Sequence, residues 1–202
     1  MLMSDVTIDY YNENTQNFID GTIGVDTSNL RDRFLKHIPT GGSILDLGCG
    51  SGRDTKAFSE MGYNVEAIDG SQELCNKARE FSGCNVYCKD FFDIDSVDKY
   101  DGIWACASVL HVKKERIPNL ISVLIRALRP DGVLYLSFKY GDYAGIRDGR
   151  YFVDLNEDEF KQICEEYSEQ YNSELTVIDE WLSEDVRRDK PAKWLNEIIK
   201  KA

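Results

Sequence analysis

The segment Ser43 to Arg53, with the sequence SILDLGCGSGR, decides how this chain can fold. Its first five residues are mostly apolar and predict a short buried strand. The three glycines that follow permit a tight turn and a close approach of the backbone to a ligand. Residues 52–61 then have helical character. A strand, a glycine-rich turn and a helix in this order predict the opening unit of an α/β sheet.

The same alternation of strands and helices continues along the chain. Strands are predicted at 64–68, 85–88, 100–105 and 133–138, and helices at 71–81 and 117–128, with a turn at 129–132. This order implies right-handed crossovers and a parallel sheet with helices on both faces. In the tail, 156–169 predicts a helix and 175–181 a strand, whereas the apolar spacing of 193–200 favours a helix.

Composition restricts the class of protein. The chain has 202 residues, of which 42% are hydrophobic and 30% charged, so one globular domain is expected and a disordered chain is excluded. No apolar run approaches the ~20 residues of a membrane span. The first eleven residues lack the basic cluster and apolar core of a signal peptide.

Charge and cysteine content narrow the choice of partners. The net charge of −12 disfavours binding to nucleic acid phosphates. The six cysteines, in a chain that is neither short nor secretory, predict reduced thiols and a cytoplasmic location. Cys84 and Cys88 have no second cysteine pair nearby and the chain has only two histidines, so no metal site is predicted.

The glycine turn and an acidic residue beyond it predict a nucleoside ligand. Asp69 follows the second strand, nineteen residues after Gly50, where a carboxylate can accept both ribose hydroxyls. The pattern of a pyrophosphate-binding turn would require glycine at Arg53, and Asp46 suits an ammonium group better than a pyrophosphate. The turn therefore predicts an adenosine ligand without phosphates. The alternative is a tight turn followed by a helix-capping Asp69.

Five segments in this order resemble the successive motifs of the class I S-adenosylmethionine-dependent methyltransferases. They are ILDLGCGSGRDT, VEAIDGS, CKDFF, YDGIWACASVLH and LRPDGVLYLSF. The chain is most similar to the small bacterial tellurite-resistance-like branch. The resemblance implies a Rossmann-like, mostly parallel seven-stranded sheet with helices on both faces and an antiparallel C-terminal edge hairpin. The resemblance also implies that 193–200 is a strand, although the local apolar spacing favours a helix.

The resemblance also implies a domain organisation and a cofactor. A single methyltransferase domain would span 1–202, with an N-terminal helical cap region at 1–40, a core at 41–202 and an insertion near 141–155. S-adenosyl-L-methionine would be the cofactor, its ammonium group anchored by Asp46, its ribose held by Asp69 and its carboxylate covered by Tyr11. Further cofactor contacts are implied at Gly48, Cys49, Gly50, Gly70, Ser71, Asp90, Phe91, Ala105 and Cys106.

Methyl transfer needs few catalytic side chains, because the cofactor carries the activated group and the protein supplies alignment. His111 is the candidate for acid/base work, since it follows the fourth strand, where an acceptor substrate should lie. The alternative is that His111 hydrogen-bonds a loop or caps the helix that follows.

A cluster of polar residues beyond the fifth strand is the candidate acceptor site. It contains Arg147, Tyr151 and Arg188 and, as substrate candidates, Lys139, Tyr140, Arg150 and Arg187. Cations at the carboxyl end of a strand suit an anionic substrate. The alternative is a solvated loop with local pairs to Asp148, Asp154 and Asp185.

These patterns together predict an enzyme that methylates a small-molecule acceptor, as a monomer or a homodimer. Two alternatives remain open: methylation of a tRNA or RNA base, and a module that binds the cofactor without turnover. A nicotinamide-dependent oxidoreductase is disfavoured by the glycine turn.

Overall fold

A seven-stranded sheet forms the centre of the computed structural model, which describes residues 5–187 and 192–201. The strand order is β3-β2-β1-β4-β5-β9-β8. The strands are β1 (Ser43–Leu47), β2 (Asn64–Asp69), β3 (Asn85–Cys88), β4 (Tyr100–Ala105), β5 (Leu128–Lys139), β6 (Ala144–Arg147), β7 (Arg150–Val153), β8 (Thr176–Glu184) and β9 (Lys193–Lys200). The helices are α1 (Asp5–Glu13), α2 (Thr15–Asp20), α3 (Ser28–Leu35), α4 (Arg53–Glu60), α5 (Gln72–Ser82), α6 (Ile117–Ala127) and α7 (Glu157–Tyr171).

Five parallel strands and two antiparallel strands make up the sheet. β3, β2, β1, β4 and β5 pair in parallel, and β9 pairs antiparallel with both β5 and β8. The predicted fold is therefore confirmed. Helix α6 packs its apolar stripe, including Leu120, Ile121 and Leu124, into the larger apolar cluster of the core. Ser71 caps α5, because its hydroxyl accepts a hydrogen bond from the backbone N–H of Leu74.

The last segment is the strand that the resemblance implied, not the helix that its apolar spacing favours. β9 lies between β5 and β8, so both of its edges are paired, and an apolar cluster covers each of its faces. Leu195, Ile198 and Ile199 are all fully buried, and Ile198 joins a different apolar cluster from the other two. A strand buried on both faces loses the alternation of apolar and polar residues, which is why the local pattern misleads.

The predicted turn at 129–132 is wrong as a boundary, because β5 already begins at Leu128. Leu128 pairs with Tyr100, and the next pair joins Val133 to Gly102, so β5 has extra residues between the two pairs. These residues bulge out of the ladder, and Asp131 has a left-handed backbone with φ of +64°. The turn residues therefore form an irregularity inside one long strand.

Helices α1, α2 and α3 occupy the segment predicted as an N-terminal helical cap. The hairpin of β6 and β7 occupies the predicted insertion and forms a separate two-stranded sheet. Helix α1 contacts this hairpin, since the backbone N–H of Tyr151 donates to the Thr7 hydroxyl at 3.0 Å. The assignment of the whole chain to one domain stays a prediction, and Arg188 lies outside the described residues. Within the described part of the chain, no helix is both long and apolar enough to cross a bilayer.

A carboxyl group is buried in the last strand of the sheet. Glu197 of β9 is fully buried. It pairs in register with Glu180 of β8. Burial first, and then the charge of Glu180, raise the pKa of Glu197 to about 9. The Glu197 carboxyl group is therefore protonated at neutral pH.

We predict that Glu197→Gln flattens the pH dependence of stability. Between about pH 4.5 and 9, folded Glu197 keeps a proton that the unfolded chain releases, so stability falls with rising pH by up to ~1.4 kcal/mol per unit. Urea unfolding at pH 5, 7 and 9 should show similar stability of both proteins at pH 5 and a more stable variant at pH 9. The exposed Glu165→Gln is the control, and parallel pH curves for wild type and Glu197→Gln would contradict the prediction.

Candidate functional site

A cavity of about 310 Å³ lies where β1, β2, β4 and β5 end, within the range of small-molecule sites. The carboxyl ends of parallel strands meet at this edge of the sheet, which is where ligands bind in such folds. Twelve of the residues singled out from the sequence line the cavity: Tyr11, Asp46, Gly48, Cys49, Gly50, Asp69, Phe91, Cys106, His111, Lys139, Arg150 and Arg187.

The glycine turn forms one wall of the cavity. Gly48 has a φ of +74°, and a Cβ atom there would lie 2.3 Å from Cβ of Ser108. Gly50 has a φ of +53°, and its Cβ atom would lie 2.8 Å from the Phe18 ring. Any side chain at these two positions would therefore collide with a neighbour in addition to straining the backbone. The turn therefore presents backbone atoms, not side chains, to the cavity.

Asp69 ties the glycine turn to the next helix. Its carboxylate accepts hydrogen bonds from the backbone N–H groups of Gly50 and Ser71, each at 2.9 Å. Burial raises the pKa of Asp69, and the backbone donors oppose this rise. Each carboxylate oxygen can accept more than one hydrogen bond, so the group has acceptor capacity left for a ligand in the cavity.

Asp46 is the second carboxyl group on the glycine side. It is buried at the end of β1, and its carboxyl group accepts a hydrogen bond of 2.6 Å from the Thr55 hydroxyl. Burial and, after it, the negative charge of Asp54 raise the pKa of Asp46 to about 7. A cationic group placed beside Asp46 would favour its charged form.

Sequence reasoning missed the buried charge network around Asp54. The carboxylate of Asp54 accepts hydrogen bonds from Arg31 at 2.8 Å, from Arg53 at 2.6 Å and from the indole N–H of Trp104 at 3.1 Å. The Thr27 hydroxyl donates to it at 2.7 Å. Burial alone would raise the pKa of Asp54, but Arg53 and the other donors hold it below its usual value.

Four residues predicted to contact the cofactor lie outside the lining of the cavity. Ser71 caps α5 and donates from its hydroxyl to Asn12 at 2.7 Å. Asp90 accepts from the backbone N–H of Phe92 at 2.9 Å and so begins a short 3-10 helix. The other two are Gly70, between β2 and Ser71, and Ala105, which is fully buried at the end of β4.

His111 is held by two hydrogen bonds. Its Nδ1 lies 2.7 Å from the carbonyl oxygen of Tyr151, and its Nε2 lies 2.9 Å from the hydroxyl of Tyr11. Because a carbonyl oxygen only accepts, we assign the proton of the neutral ring to Nδ1, which leaves Nε2 to accept from Tyr11. Burial is the main reason that the pKa of His111 is lowered to about 4.

The two cysteines in the cavity wall are not activated nucleophiles. Burial raises the pKa of Cys106 to about 12 and that of Cys49 well above its ordinary value. Both thiols are therefore protonated at neutral pH, and they pack as small apolar groups.

The described residues of the basic cluster beyond β5 fall into two groups, those paired with carboxylates and those that are not. Arg147 forms a bidentate ion pair with Asp154, and Arg187 pairs with Asp185, as the alternative interpretation predicted. Tyr140 points away and donates its hydroxyl to Glu157 at 3.0 Å. Two more cations of this cluster, among those in the described part of the chain, line the cavity. They are Lys139, at the end of β5, and Arg150, in β7.

Several lining residues carried no recognised signal in the sequence. Phe18 of α2 and Ser108 after β4 reach the cavity only through tertiary packing. Phe152 of β7 reaches the cavity because the β6–β7 hairpin folds back over it. Asp54 had a usable signal, since it stands in the first helical turn directly after the glycine turn, where an acidic side chain suits the helix dipole.

Comparison with known proteins identifies the class. A family model described as a methyltransferase domain matches residues 44–132. The chain is 26% identical over 198 residues to an uncharacterized methyltransferase from Staphylococcus carnosus, covering 90% of this chain and 93% of that protein. It is 30% identical over 84 residues to a probable S-adenosyl-L-methionine-dependent methyltransferase, TehB, from Haemophilus influenzae. That match covers 39% of this chain and 29% of the relative.

A solved structure has the same fold. The 1,6-didemethyltoxoflavin-N1-methyltransferase of Burkholderia thailandensis, with bound 1,6-didemethyltoxoflavin and S-adenosylhomocysteine, superposes with a TM-score of 0.74 at 20% identity. The superposition covers 99% of this chain and 87% of that chain. The fold and the family matches define an S-adenosyl-L-methionine-dependent methyltransferase. The chain is similar to the class I S-adenosylmethionine-dependent methyltransferases, with distant similarity to the TehB branch.

We predict that Asp54→Ala strongly destabilises the protein. The substitution leaves the buried Arg31 and the half-buried Arg53 without their carboxylate, which costs about 3–5 kcal/mol. Urea unfolding followed by circular dichroism measures this loss. The control is Asp32→Ala on the exposed face of α3, for which a change below about 0.5 kcal/mol is expected. Equal effects of the two substitutions would show that the Asp54 network contributes little.

Proposed function

We propose that this enzyme transfers the methyl group of S-adenosyl-L-methionine to a small-molecule acceptor. The observation that carries the proposal is the pair formed by the glycine turn and Asp69 in one wall of the cavity. The acceptor side is covered by the β6–β7 hairpin and by residues 184–187, so the space suits a small molecule better than a polymer. The net charge of −12 also disfavours an RNA acceptor.

The residues on the glycine side suit this cofactor. Asp69 has acceptor capacity for ribose hydroxyls, and Asp46 offers a carboxylate for an ammonium group. Ser108 and Phe18 pack so closely against Gly48 and Gly50 that neither position can carry a side chain, and the turn offers its backbone to a ligand. Tyr11 is placed at the boundary between this side and the acceptor side. We propose as cofactor contacts Tyr11, Asp46, Gly48, Cys49, Gly50, Asp69, Phe91 and Cys106, and, through neighbouring backbone, Gly70, Ser71, Asp90 and Ala105.

When bound, S-adenosyl-L-methionine supplies an activated methyl group, so the chain mainly aligns the acceptor. In the proposal His111 removes the proton of the acceptor. Its Nε2 atom carries no proton at neutral pH. The Tyr11 hydroxyl, which donates a hydrogen bond to Nε2, can relay the proton of the acceptor to it. The lowered pKa makes His111 a weak base until negative charge enters the cavity and stabilises its cation.

We predict that Asp69→Ala weakens binding of S-adenosylhomocysteine by ~1.5–3 kcal/mol, because hydrogen bonds to a charged group are lost. Isothermal titration calorimetry measures this directly, and Glu73→Ala on the exposed side of α5 is the matched control. Two results would reject the proposed cofactor site: no binding of S-adenosyl-L-methionine or S-adenosylhomocysteine by the wild type at millimolar concentration, or equal affinities for wild type and Asp69→Ala.

We predict that the enzyme transfers labelled methyl groups into a metabolite extract, and that His111→Gln lowers this rate by ~10²–10⁴-fold. The variant should keep its affinity for S-adenosylhomocysteine within threefold, because His111 lies on the acceptor side. Label in added tRNA but not in metabolites would favour an RNA acceptor, and no transfer at all would favour a module without turnover. A rate within threefold of wild type would remove His111 as the base.

A further inference from the structure

Two cations face the acceptor side of the cavity without a carboxylate partner. Lys139 is half-buried at the end of β5, and Arg150 lies in β7 of the hairpin. Among residues 5–187 and 192–201, neither forms an ion pair. The Nε atom of Arg150 is buried and has no hydrogen-bond partner, and its nearest polar contact is a weak one to the Tyr11 hydroxyl at 3.4 Å.

Both cations contact the same aromatic ring. The Phe152 ring lies 4.8 Å from Nζ of Lys139 and 5.0 Å from Cζ of Arg150. Arg147 approaches the same ring, at 4.6 Å, but its charge is compensated by Asp154. Cation–π contacts offset part of the cost of desolvation, although they do not replace an anion. In a chain with 36 acidic residues, two uncompensated cations in one cavity indicate an anionic ligand.

The position of Lys139 separates this ligand from the cofactor. The glycine turn follows β1, whereas Lys139 ends β5, and β4 lies between these two strands. Adjacent strands are ~4.8 Å apart, so the two strand ends are separated by ~10 Å. The carboxyl groups that suit an ammonium or a ribose, Asp46 and Asp69, lie on the glycine side. The acceptor side contains Lys139 and Arg150; the carboxylates that line the cavity away from the glycine turn are Asp148, Glu184 and Asp185, of which Asp185 is paired with Arg187.

We propose that Lys139 and Arg150 form a subsite for an anionic group, a carboxylate or a phosphate, of the methyl acceptor. This inference rests on the proposed function, because it assigns the far side of the cavity to the acceptor. Lys139 and Arg150 also contribute to the lowered pKa of His111, although less than burial does, and an anion at this subsite would offset their contribution. Phe152, at 4.8 Å from the ring of His111, joins the subsite to the proposed base.

The test is calorimetric titration of malonate, and separately of inorganic phosphate, into the protein saturated with S-adenosylhomocysteine. Wild type should bind at least one of them saturably. Lys139→Met, which keeps the aliphatic stem on Phe152, should weaken this binding at least tenfold, and Lys139→Arg should stay within threefold of wild type. Arg150→Gln should also weaken it. Lys161→Met, in the exposed face of α7, is the control and should bind like wild type.

The affinity for S-adenosylhomocysteine, measured for each variant, distinguishes the sources of the anion. Under the proposal Lys139→Met keeps this affinity within threefold. A tenfold loss would assign the cations to the carboxylate of the cofactor and overturn the inference, as would equal malonate and phosphate binding by wild type and Lys139→Met, or none by wild type. Failure of the wild type to bind S-adenosylhomocysteine would instead reject the proposed function, and titrations without it would still test the subsite.

Discussion

The close approach of Gly48 to Ser108 is the constraint on which the site depends. The segment after β4 lies against the backbone at the end of β1, and even a methyl group at Gly48 would stand 2.3 Å from the Cβ atom of Ser108. Because the two segments touch, the turn is held where the N–H of Gly50 meets the carboxylate of Asp69. These two contacts hold the end of β1 against both of its neighbouring strands, β4 through Ser108 and β2 through Asp69, and the cavity forms above them.

Charge divides the cavity into two halves. On the glycine side, Asp54 is surrounded by Arg31, Arg53 and further donors, so its charge is fully compensated. Beside it, Asp46 has a raised pKa, and a cationic group next to it would stabilise its charged form. On the other side, Lys139 and Arg150 contact the Phe152 ring, and in the described part of the chain neither forms an ion pair with a carboxylate. This polarity orients a ligand that has an ammonium group at one end, and it leaves positive charge for a second, anionic molecule.

The sequence predicted most of the sheet because its strands are short apolar runs separated by glycine and capping residues. It could not assign 193–200 from local spacing, since burial on both faces of β9 erases the alternation, and only the resemblance gave the strand. The turn residues at 129–132 were placed outside a strand because a bulge has no local signature that differs from a turn.

Part of the candidate site could also be predicted from the sequence. Residues that follow strand ends, such as Asp69 and Lys139, could be placed from the order of the elements alone. Pairing within the basic cluster could not, because it depends on how the hairpin folds back: Arg147 meets Asp154 across β6 and β7, while Arg150 turns towards Tyr11. Phe18 likewise reaches the turn only through the packing of α2.

A crystal structure of the wild-type enzyme with S-adenosylhomocysteine tests the central claim most directly. The account predicts ribose hydroxyls within hydrogen-bond distance of Asp69, the amino-acid arm against the turn at Gly48, and open space between the sulfur atom and Lys139. Adenosine bound elsewhere, with the Asp69 carboxylate engaged only by backbone N–H groups, would contradict it.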